Sequence, residues 1–296
     1  MTATSTEDGS FSFESIPYGT WYVREIEQPA GFVLDDTIYP VTIGADGQVV
    51  EIKIVNKHVS GNIHLTKVDS EYPDNKLTGA TFEVYKDSNA NGKLDSGDEL
   101  LGTLTEKEKG EYSMNDLFYG RYFVKETKAP EGFVLDTGVY EVMIDTNGKT
   151  YEVENKAGVG FINEAMRGNL KIVKTSSDGK VKGFAFRITG ANGYDIILET
   201  NDKGEIFIDG LRIGDYTISE VSNSASSMYV LPADKKATVK LGSTTIVEMH
   251  NVLRDTPKTG DTTNLPLLYA LAGLSAVGIA VCGVIGFKKK IKEDRN

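Results

Sequence analysis

A lysine, a glutamate and an asparagine each end an apolar stripe in two similar stretches of the sequence. Side chains two apart on a strand share a face, so a polar residue that continues such a stripe points where the apolar ones point. The stripes of one stretch end in Lys67, Glu126 and Asn163, and those of the other end in Lys174, Glu220 and Asn251. Each stretch is therefore predicted to place these three residue types together in its core.

These three side chains can react once they are buried together. Burial lowers the pKa of a lysine and raises that of a glutamate, which leaves a nucleophilic amine beside a protonated acid that can polarise an amide carbonyl. Attack on the asparagine then yields a Lys–Asn isopeptide bond and ammonia, driven by proximity in the fold. The alternative is a buried Lys–Glu salt bridge. Asn155, which shares a face with Tyr151 and Val153, is an alternative to Asn163.

The two stretches are copies of one repeated unit that occurs three times. A glycine, a second glycine ten residues later and a glutamate six residues further on recur as Gly9, Gly19 and Glu25, as Gly110, Gly120 and Glu126, and as Gly204, Gly214 and Glu220. The units are predicted at 1–59 (incomplete), 60–166 and 167–253, with very short linkers that make a stiff row. The first unit keeps Glu25 and Asn56 but has no upstream lysine in this sequence, so no bond is expected there.

The composition favours strands throughout these units. Tyrosine, phenylalanine and β-branched runs alternate with clusters of glycine, asparagine and aspartate, which predicts an all-β fold with about seven short strands in each complete sandwich. The single cysteine, Cys282, lies in an apolar run, so disulfides are not expected in the units. A net charge of −11 argues against binding to nucleic acid.

The C-terminal segment has the pattern of a membrane anchor. Residues 265–287 are almost wholly apolar, which suits one transmembrane helix, and the basic tail 288–296 places that end in the cytoplasm. Everything upstream is then outside the membrane. The N-terminus has no signal peptide, so we expect the sequence to be a fragment of an exported protein.

One polar loop of the second unit has the ligand spacing of a calcium site. Oxygen-bearing side chains alternate around a glycine at Asp87, Asn89, Asn91, Asp95 and Asp98. A polar hairpin tip is the alternative, because Asn-Gly and Ser-Gly favour turns in any case. No other cofactor is predicted.

A pentapeptide before the apolar segment resembles the cell-wall sorting signal of Gram-positive surface proteins. It consists of Thr256, Pro257, Lys258, Thr259 and Gly260, and with the spacer it occupies 254–264. The resemblance implies that a sortase cuts after Thr259 and joins it to a peptidoglycan precursor, so that the membrane holds the chain only before sorting. Thr256 stands where the family usually has leucine, which leaves the sortase class open.

The repeated units resemble the B-type repeats of collagen adhesins and the domains of SpaA-type pilins. The likeness rests on Lys-Val-Asp at 67–69, on the run from Tyr122 to Phe133 and on the terminal asparagines. It implies tandem immunoglobulin-like or prealbumin-like β-sandwiches. It also implies bonds between Lys67 and Asn163 and between Lys174 and Asn251, with Glu126 and Glu220 as proton shuttles.

The expected function is a cell-wall-anchored stalk or adhesin segment on the bacterial surface, stiffened by these bonds. One alternative is a pilin subunit joined to other subunits, which needs an acceptor such as Lys76 in the Tyr72–Lys76 run. Another is an adhesin module for a host matrix protein. No catalytic motif for an external substrate occurs, so no enzyme is predicted beyond intramolecular cross-linking.

Overall fold

The computed structural model describes residues 1–255. The predicted sorting signal (Thr256, Pro257, Lys258, Thr259 and Gly260), the transmembrane helix 265–287 and the basic tail 288–296 lie outside the described residues. Between residues 1 and 255, no helix combines the length and apolar character needed to cross a bilayer. The prediction of an all-β fold is confirmed for this part of the chain, where a 3-10 turn at Ala191–Gly193 interrupts an otherwise β structure.

The first unit forms two small antiparallel pairs of strands. Its strands are β1 (Gly19–Val23), β2 (Phe32–Val33), β3 (Tyr39–Ile43) and β4 (Lys57–His58), with β1 paired to β3 and β2 to β4. Ile52 and Ile54, which precede Asn56, lie outside these strands and are only half-buried.

The second unit is a sandwich of two sheets. Its strands are β5 (Ser60–Asp69), β6 (Thr81–Lys86), β7 (Glu99–Thr103), β8 (Thr105–Glu108), β9 (Glu111–Phe118), β10 (Gly120–Lys128), β11 (Val139–Ile144), β12 (Thr150–Glu152) and β13 (Phe161–Asn163). One sheet has the order β11-β10-β6-β7, and the other has the order β12-β5-β9-β8 with β13 also paired to β5.

The third unit repeats this two-sheet arrangement. Its strands are β14 (Arg167–Ser176), β15 (Ala185–Thr189), β16 (Asp195–Glu199), β17 (Glu205–Arg212), β18 (Gly214–Val221), β19 (Tyr229–Val230), β20 (Lys235–Val239) and β21 (Thr244–Leu253). The sheet orders are β17-β14-β21-β19 and β16-β15-β18-β20.

The complete units have nine and eight strands, more than the seven expected. The extra strands of the second unit come from interruptions at its edges. Leu104 separates β7 from β8, and a loop at 153–160 divides the last strand into β12 and β13. The third unit runs its last strand as the single β21.

Each complete unit has its own apolar core between the two sheets. In the second unit Phe82 meets Tyr112 and Phe161 edge to face, with ring centroids 5.3 and 4.9 Å apart. In the third unit Leu170, Ile172 and Ile218 are wholly buried. Apolar side chains from facing sheets are thus removed from water, which is the main stabilising term for such a domain.

The Gly-Asn pair that starts the first strand of both complete units has a structural cause. A Cβ on Gly61 would lie 2.8 Å from the Lys149 carbonyl oxygen, closer than a Cβ atom approaches a backbone oxygen. The Asn62 side-chain oxygen then accepts the Asp116 N–H at 3.2 Å, beside the bulge in the β5–β9 pairing. Gly168 and Asn169 repeat both features, against the Lys240 carbonyl and the Gly210 N–H.

The linkers between units are bonded on both sides. At the second joint, between units two and three, Met166 donates its N–H to the Gly132 carbonyl and accepts the Ile213 N–H. At the first joint, between units one and two, Val59 does the same with Gly31 and Tyr119. Since each linker residue is tied to the unit before and the unit after, the joints are ordered backbone pairings rather than free hinges.

Side chains differ between the two joints. At the second joint the Arg212 guanidinium binds Asp69 through two hydrogen bonds of 2.6 and 2.7 Å and also reaches Glu71 at 2.7 Å. Asp69 is fully buried. At the first joint Phe118 occupies the position of Arg212 and packs on His58 with centroids 5.2 Å apart. One joint is therefore held by a buried ion pair and the other by aromatic contact.

Candidate functional site

The three reactive residues of the second unit meet in its core. Lys67 on β5 and Glu126 on β10 are fully buried, and Asn163 on β13 is 3% exposed. Phe161 is the partner of Lys67 in the parallel pairing of β13 with β5, and Asn163 lies two residues further along the same face. Because β10 belongs to the facing sheet, its glutamate closes the trio from the other side.

The carboxylate of Glu126 bridges the other two groups. Its Oε2 accepts a hydrogen bond of 2.8 Å from Asn163 Nδ2, and its Oε1 lies 4.0 Å from Lys67 Nζ. The amine donates to the Phe161 carbonyl at 3.0 Å. One carboxyl oxygen thus faces the amine and the other faces the amide nitrogen. The sequence argument placed the acid against the amide carbonyl, whereas the structure places it against the amide nitrogen.

Two atoms of this trio are buried without a hydrogen-bond partner. They are Glu126 Oε1 and the side-chain oxygen of Asn163. An unpaired buried polar atom costs about 1–3 kcal/mol, so two of them in one trio mark an energetically unfavourable arrangement.

Burial shifts the ionisation of both partners towards the reactive forms. The pKa of Lys67 falls to about 8 because of desolvation, against the opposing charges of Glu126, Asp136 and Asp69. The pKa of Glu126 is raised, again through burial, although hydrogen bonds from Asn163 and from the Asp136 backbone oppose the rise. A neutral amine and a protonated acid are the states that nucleophilic attack and proton transfer require.

The third unit holds the same trio in a similar setting. Lys174 on β14 is 1% exposed, Glu220 on β18 is 8% exposed, and Asn251 on β21 is fully buried. Lys174 pairs with Met249 in the parallel β14–β21 register, again two residues from the asparagine. Asn251 Nδ2 donates to Glu220 Oε1 at 2.6 Å. Burial lowers the pKa of Lys174 and raises that of Glu220.

The amine of the third unit points differently. Lys174 Nζ donates to the Thr175 carbonyl at 2.5 Å and lies 4.2 Å from the centre of the Phe184 ring. Glu220 Oε2 and the side-chain oxygen of Asn251 have no partner among the described residues. The pattern of unpaired atoms therefore matches that of the second unit, with the amine turned away from the carboxylate.

The first unit keeps two of the three residues. Asn56 Nδ2 donates to both oxygens of Glu25, at 2.9 and 2.8 Å. Both side chains are half-buried, and the neighbouring lysine, Lys57 on β4, is exposed. The Glu–Asn contact thus forms in all three units, and only the complete units add a buried amine.

Asn155 is the alternative that the sequence left open, and it has a different set of contacts. Its Nδ2 donates to Asp136 at 2.6 Å and to the Ile162 carbonyl at 2.8 Å, and its oxygen accepts the Ile162 N–H. It therefore holds the strand that carries Asn163 rather than facing Glu126.

Asp136 is a contributor that the side-chain pattern did not indicate. Its backbone N–H donates to Glu126 Oε2 at 2.8 Å, and in the first unit Asp35 does the same for Glu25 at 2.7 Å. The recurrence of an aspartate ten residues after the glutamate was the available signal. The contact is made by the main chain, so residue type alone could not assign it.

The predicted calcium ligands all lie in the loop between β6 and β7. Asp87, Asn89, Asn91, Asp95 and Asp98 bind one another and the loop backbone, as in the 3.0 Å bond from the Gly92 N–H to Asp87. Among the described residues no group of three or more acidic, histidine or cysteine side chains is arranged around a common metal position. The calcium site stays a prediction.

Comparison with known proteins identifies relatives along the units. The family described as "SpaA: Prealbumin-like fold domain" matches residues 1–58, 61–157 and 168–252. The trypsin-resistant surface T6 protein of Streptococcus pyogenes serotype M6 is 30% identical over 186 residues, which are 61% of this chain and 30% of that protein. Colossin-A of Dictyostelium discoideum is 24% identical over 258 residues, 74% of this chain and 2% of that protein.

A solved structure shares the arrangement of the units. The structure of the Bacillus anthracis TIE protein matches with a TM-score of 0.64 and 25% sequence identity. The match covers 85% of this chain and 45% of the TIE protein chain. The chain spans less than a third of the length of the two curated relatives.

Proposed function

The chain belongs to the SpaA prealbumin-like fold domain family, and from that premise we propose that it is a stalk of a Gram-positive surface protein, stiffened by internal isopeptide bonds and joined to peptidoglycan by a sortase. The observation that carries the proposal is the buried trio of lysine, glutamate and asparagine in each complete unit. The bonds proposed are Lys67–Asn163 and Lys174–Asn251.

The reaction follows from the contacts of the trio. Neutral Lys67 Nζ attacks the amide carbon of Asn163, so a C–N bond forms while the bond to Nδ2 breaks. Glu126 takes one proton from the amine through the oxygen that faces it and delivers a proton through the other oxygen to the departing nitrogen. Ammonia leaves, the carboxyl ends in its starting state, and no oxidant or cofactor is needed.

Attachment to the wall rests on the sequence of residues 254–296. The run from Thr256 to Gly260 supplies the sortase motif, with the apolar segment 265–287 holding the chain at the membrane until Thr259 is transferred. The stalk role is supported by the joints, because Met166 and Val59 bond to both neighbouring units. A row of units tied in this way transmits force along the backbone.

The relative from Streptococcus pyogenes carries trypsin resistance in its name. We propose the same property here, since a covalent bond between the first and last strands prevents a unit from opening to a protease. Variants Glu126→Gln and Glu220→Gln combined are expected to be cut within the units far faster than the wild type. Equal digestion rates count against the stiffening role.

A pilin subunit is the second candidate, favoured by one observation. Lys76 follows β5 on the surface of the second unit, with about half of its side chain exposed and its amine paired with Glu111. An accessible lysine of this kind can accept a sortase-linked neighbour. High-mass ladders in wall extracts that disappear in Lys76→Ala favour the pilin, and a single wall-linked band favours the stalk.

The anchoring step is tested in a Gram-positive host that carries a sortase. The full chain, with an export signal added, is expected in the wall fraction released by muramidase. Thr259→Ala is expected to shift it to the membrane fraction, with Thr262→Ala as the matched control that stays wall-linked. Recovery of Thr259→Ala in the wall fraction contradicts attachment at this residue.

A further inference from the structure

The two complete units differ in what holds their glutamate. In the second unit Glu126 Oε2 receives the Asp136 backbone N–H at 2.8 Å as well as the Asn163 amide. In the third unit the aligned run is Val230-Leu231-Pro232, so proline stands in the place of Asp136. Proline has no N–H to give. Glu220 therefore receives only the Asn251 amide, on Oε1, while the other carboxyl oxygen has no hydrogen-bond partner in either unit among residues 1–255.

The Asp136 side chain is itself held at three points. Its carboxylate accepts the Gly138 N–H at 2.6 Å, the Tyr140 hydroxyl at 2.8 Å and Asn155 Nδ2 at 2.6 Å. Although burial alone raises the pKa of Asp136, these hydrogen bonds, led by that from Asn155, lower it overall, so the group is a carboxylate. It therefore fixes the loop that presents the N–H to the glutamate.

The same network reaches the asparagine of the trio. The amide nitrogen of Asn155 donates to Asp136 and, at 2.8 Å, to the Ile162 carbonyl. The amide oxygen of Asn155 accepts the Ile162 N–H at 2.6 Å. Ile162 directly precedes Asn163 in β13. The backbone N–H of Asp136 thus contacts Glu126 directly. Its side chain acts on β13, the strand of Asn163, through Asn155.

We propose that Asp136 is a positioning residue for the Lys67–Asn163 bond. In the third unit Pro232 takes its place and Glu220 lacks the backbone N–H, so we propose that the Lys174–Asn251 bond forms with a different pH profile. The inference rests on the proposed cross-linking function. It names a residue that acts through Glu126 and Asn163 rather than on the reacting atoms.

The charged groups around each acid support this difference. Glu126 faces Lys67 on β5, Asp136 after β10 and Tyr140 on β11, while Asp69 lies near the lysine. Burial raises the pKa of Glu126, and the charge of Asp136 adds a smaller part to the rise, whereas hydrogen bonds from Asn163 and the Asp136 N–H and the charge of Lys67 oppose it.

Glu220 faces Lys174 on β14, and Asp178 lies near that lysine. Burial raises its pKa, with hydrogen bonding from Asn251 and the charge of Lys174 acting against the rise. The extra N–H favours the ionised form of Glu126 alone, so the protonated acid that the reaction requires is lost at a lower pH in the second unit, and the alkaline limb of its pH profile lies below that of the third unit.

The test compares both bonds in one molecule. Chain recovered unfolded from inclusion bodies, with a mass that shows no cross-link, is refolded at a series of pH values and quenched in acid. Proteolysis and mass spectrometry then quantify each cross-linked peptide over time. Each unit serves as the internal control for a substitution in the other.

Three variants separate the effect of the backbone N–H at position 136 from the effect of the Asp136 carboxylate. Pro232→Ala supplies an N–H to Glu220 and is expected to move the alkaline limb of the third unit's profile down by about one pH unit. Asp136→Pro is expected to move the limb of the second unit up by less than that, because loss of the Asp136 charge acts against loss of the N–H. Asp136→Ala keeps the N–H and removes the charge, so its limb moves slightly down while the rate falls, because the Asn155 contact is lost.

The proposal is overturned if the two wild-type profiles coincide, or if Pro232→Ala leaves the profile of the third unit unmoved. The Pro232→Ala result decides even where Asp136→Pro does not fold. Failure of the proposed function has a separate signature, because then neither bond forms in the wild type at any pH.

Discussion

In the second unit Glu126 lies between the amine of Lys67 and the amide of Asn163, and the burial of these groups sets their ionisation. With a pKa of about 8 in place of 10.5, Lys67 has roughly 300-fold more neutral amine at pH 7 than an exposed lysine. The gain disappears if the site opens to water. Reactivity is therefore a property of the folded core and not of the residues themselves.

Substitution of Glu126 is the simplest test of the proposed Lys67–Asn163 bond. Glu126→Gln keeps the shape of the side chain but cannot accept and return a proton, so the Lys67–Asn163 bond is expected not to form, while Lys174–Asn251 still does. The intact mass should then be about 16 Da higher than that of the wild type, since the retained ammonia adds about 17 Da and the substitution removes about 1 Da. Glu131→Gln, at an exposed position, is the control and should differ from the wild type only by the substitution itself, about 1 Da.

Loss of that bond also has a predicted effect on stability. The proposed bond closes a loop of nearly 100 residues, and the chain-entropy estimate for a cross-link of this span is about 4–5 kcal/mol. Glu126→Gln should lose up to that amount in the free energy of unfolding of the second unit, measured by denaturant titration. A loss equal to that of Glu131→Gln contradicts a covalent contribution.

At the scale of strands and loops, the alternation of side chains was enough to predict the faces. It placed Lys67, Glu126 and Asn163 on inward-facing stripes, where the structure has them buried. Alternation could not predict the two hydrogen bonds between the Asn155 side chain and the Ile162 backbone, because they depend on the loop that divides β12 from β13. Nor could it assign Asp136, whose contact is made by a backbone N–H.

The β6–β7 loop gives a prediction at this scale. If it binds calcium, titration calorimetry of the whole chain with calcium chloride should show one saturable site that Asp87→Ala removes. Asp209→Ala, exposed on the third unit, is the control that retains it. No heat from the wild type rejects the site and leaves a hydrogen-bonded hairpin tip, for which the Asp87 contacts already suffice.

For the molecule as a whole, the joints decide whether the units form a rod. The short linkers predicted stiffness, but the contacts that provide it depend on how successive units face each other. Arg212 and Phe118 occupy the same place in their units, yet one binds Asp69 and the other packs on His58. No pattern within a single unit reveals that choice.

The ion pair of the second joint can be tested alone. Arg212→Ala leaves Asp69 buried without its partner, and removal of one member of such a pair costs about 3–5 kcal/mol. The distance distribution between spin labels on the second and third units is expected to broaden. Arg187→Ala breaks an exposed pair with Asp195 inside the third unit and should leave the distribution narrow. Equal distributions contradict a clamp at this joint.

The central claim is that the buried trios of the second and third units become covalent. Its most direct test is the intact mass of the folded chain after purification, followed by sequencing of the linked peptides. The account predicts a deficit of two ammonia molecules, about 34 Da, with Lys67 joined to Asn163 and Lys174 to Asn251. A correctly folded chain with the full calculated mass contradicts it.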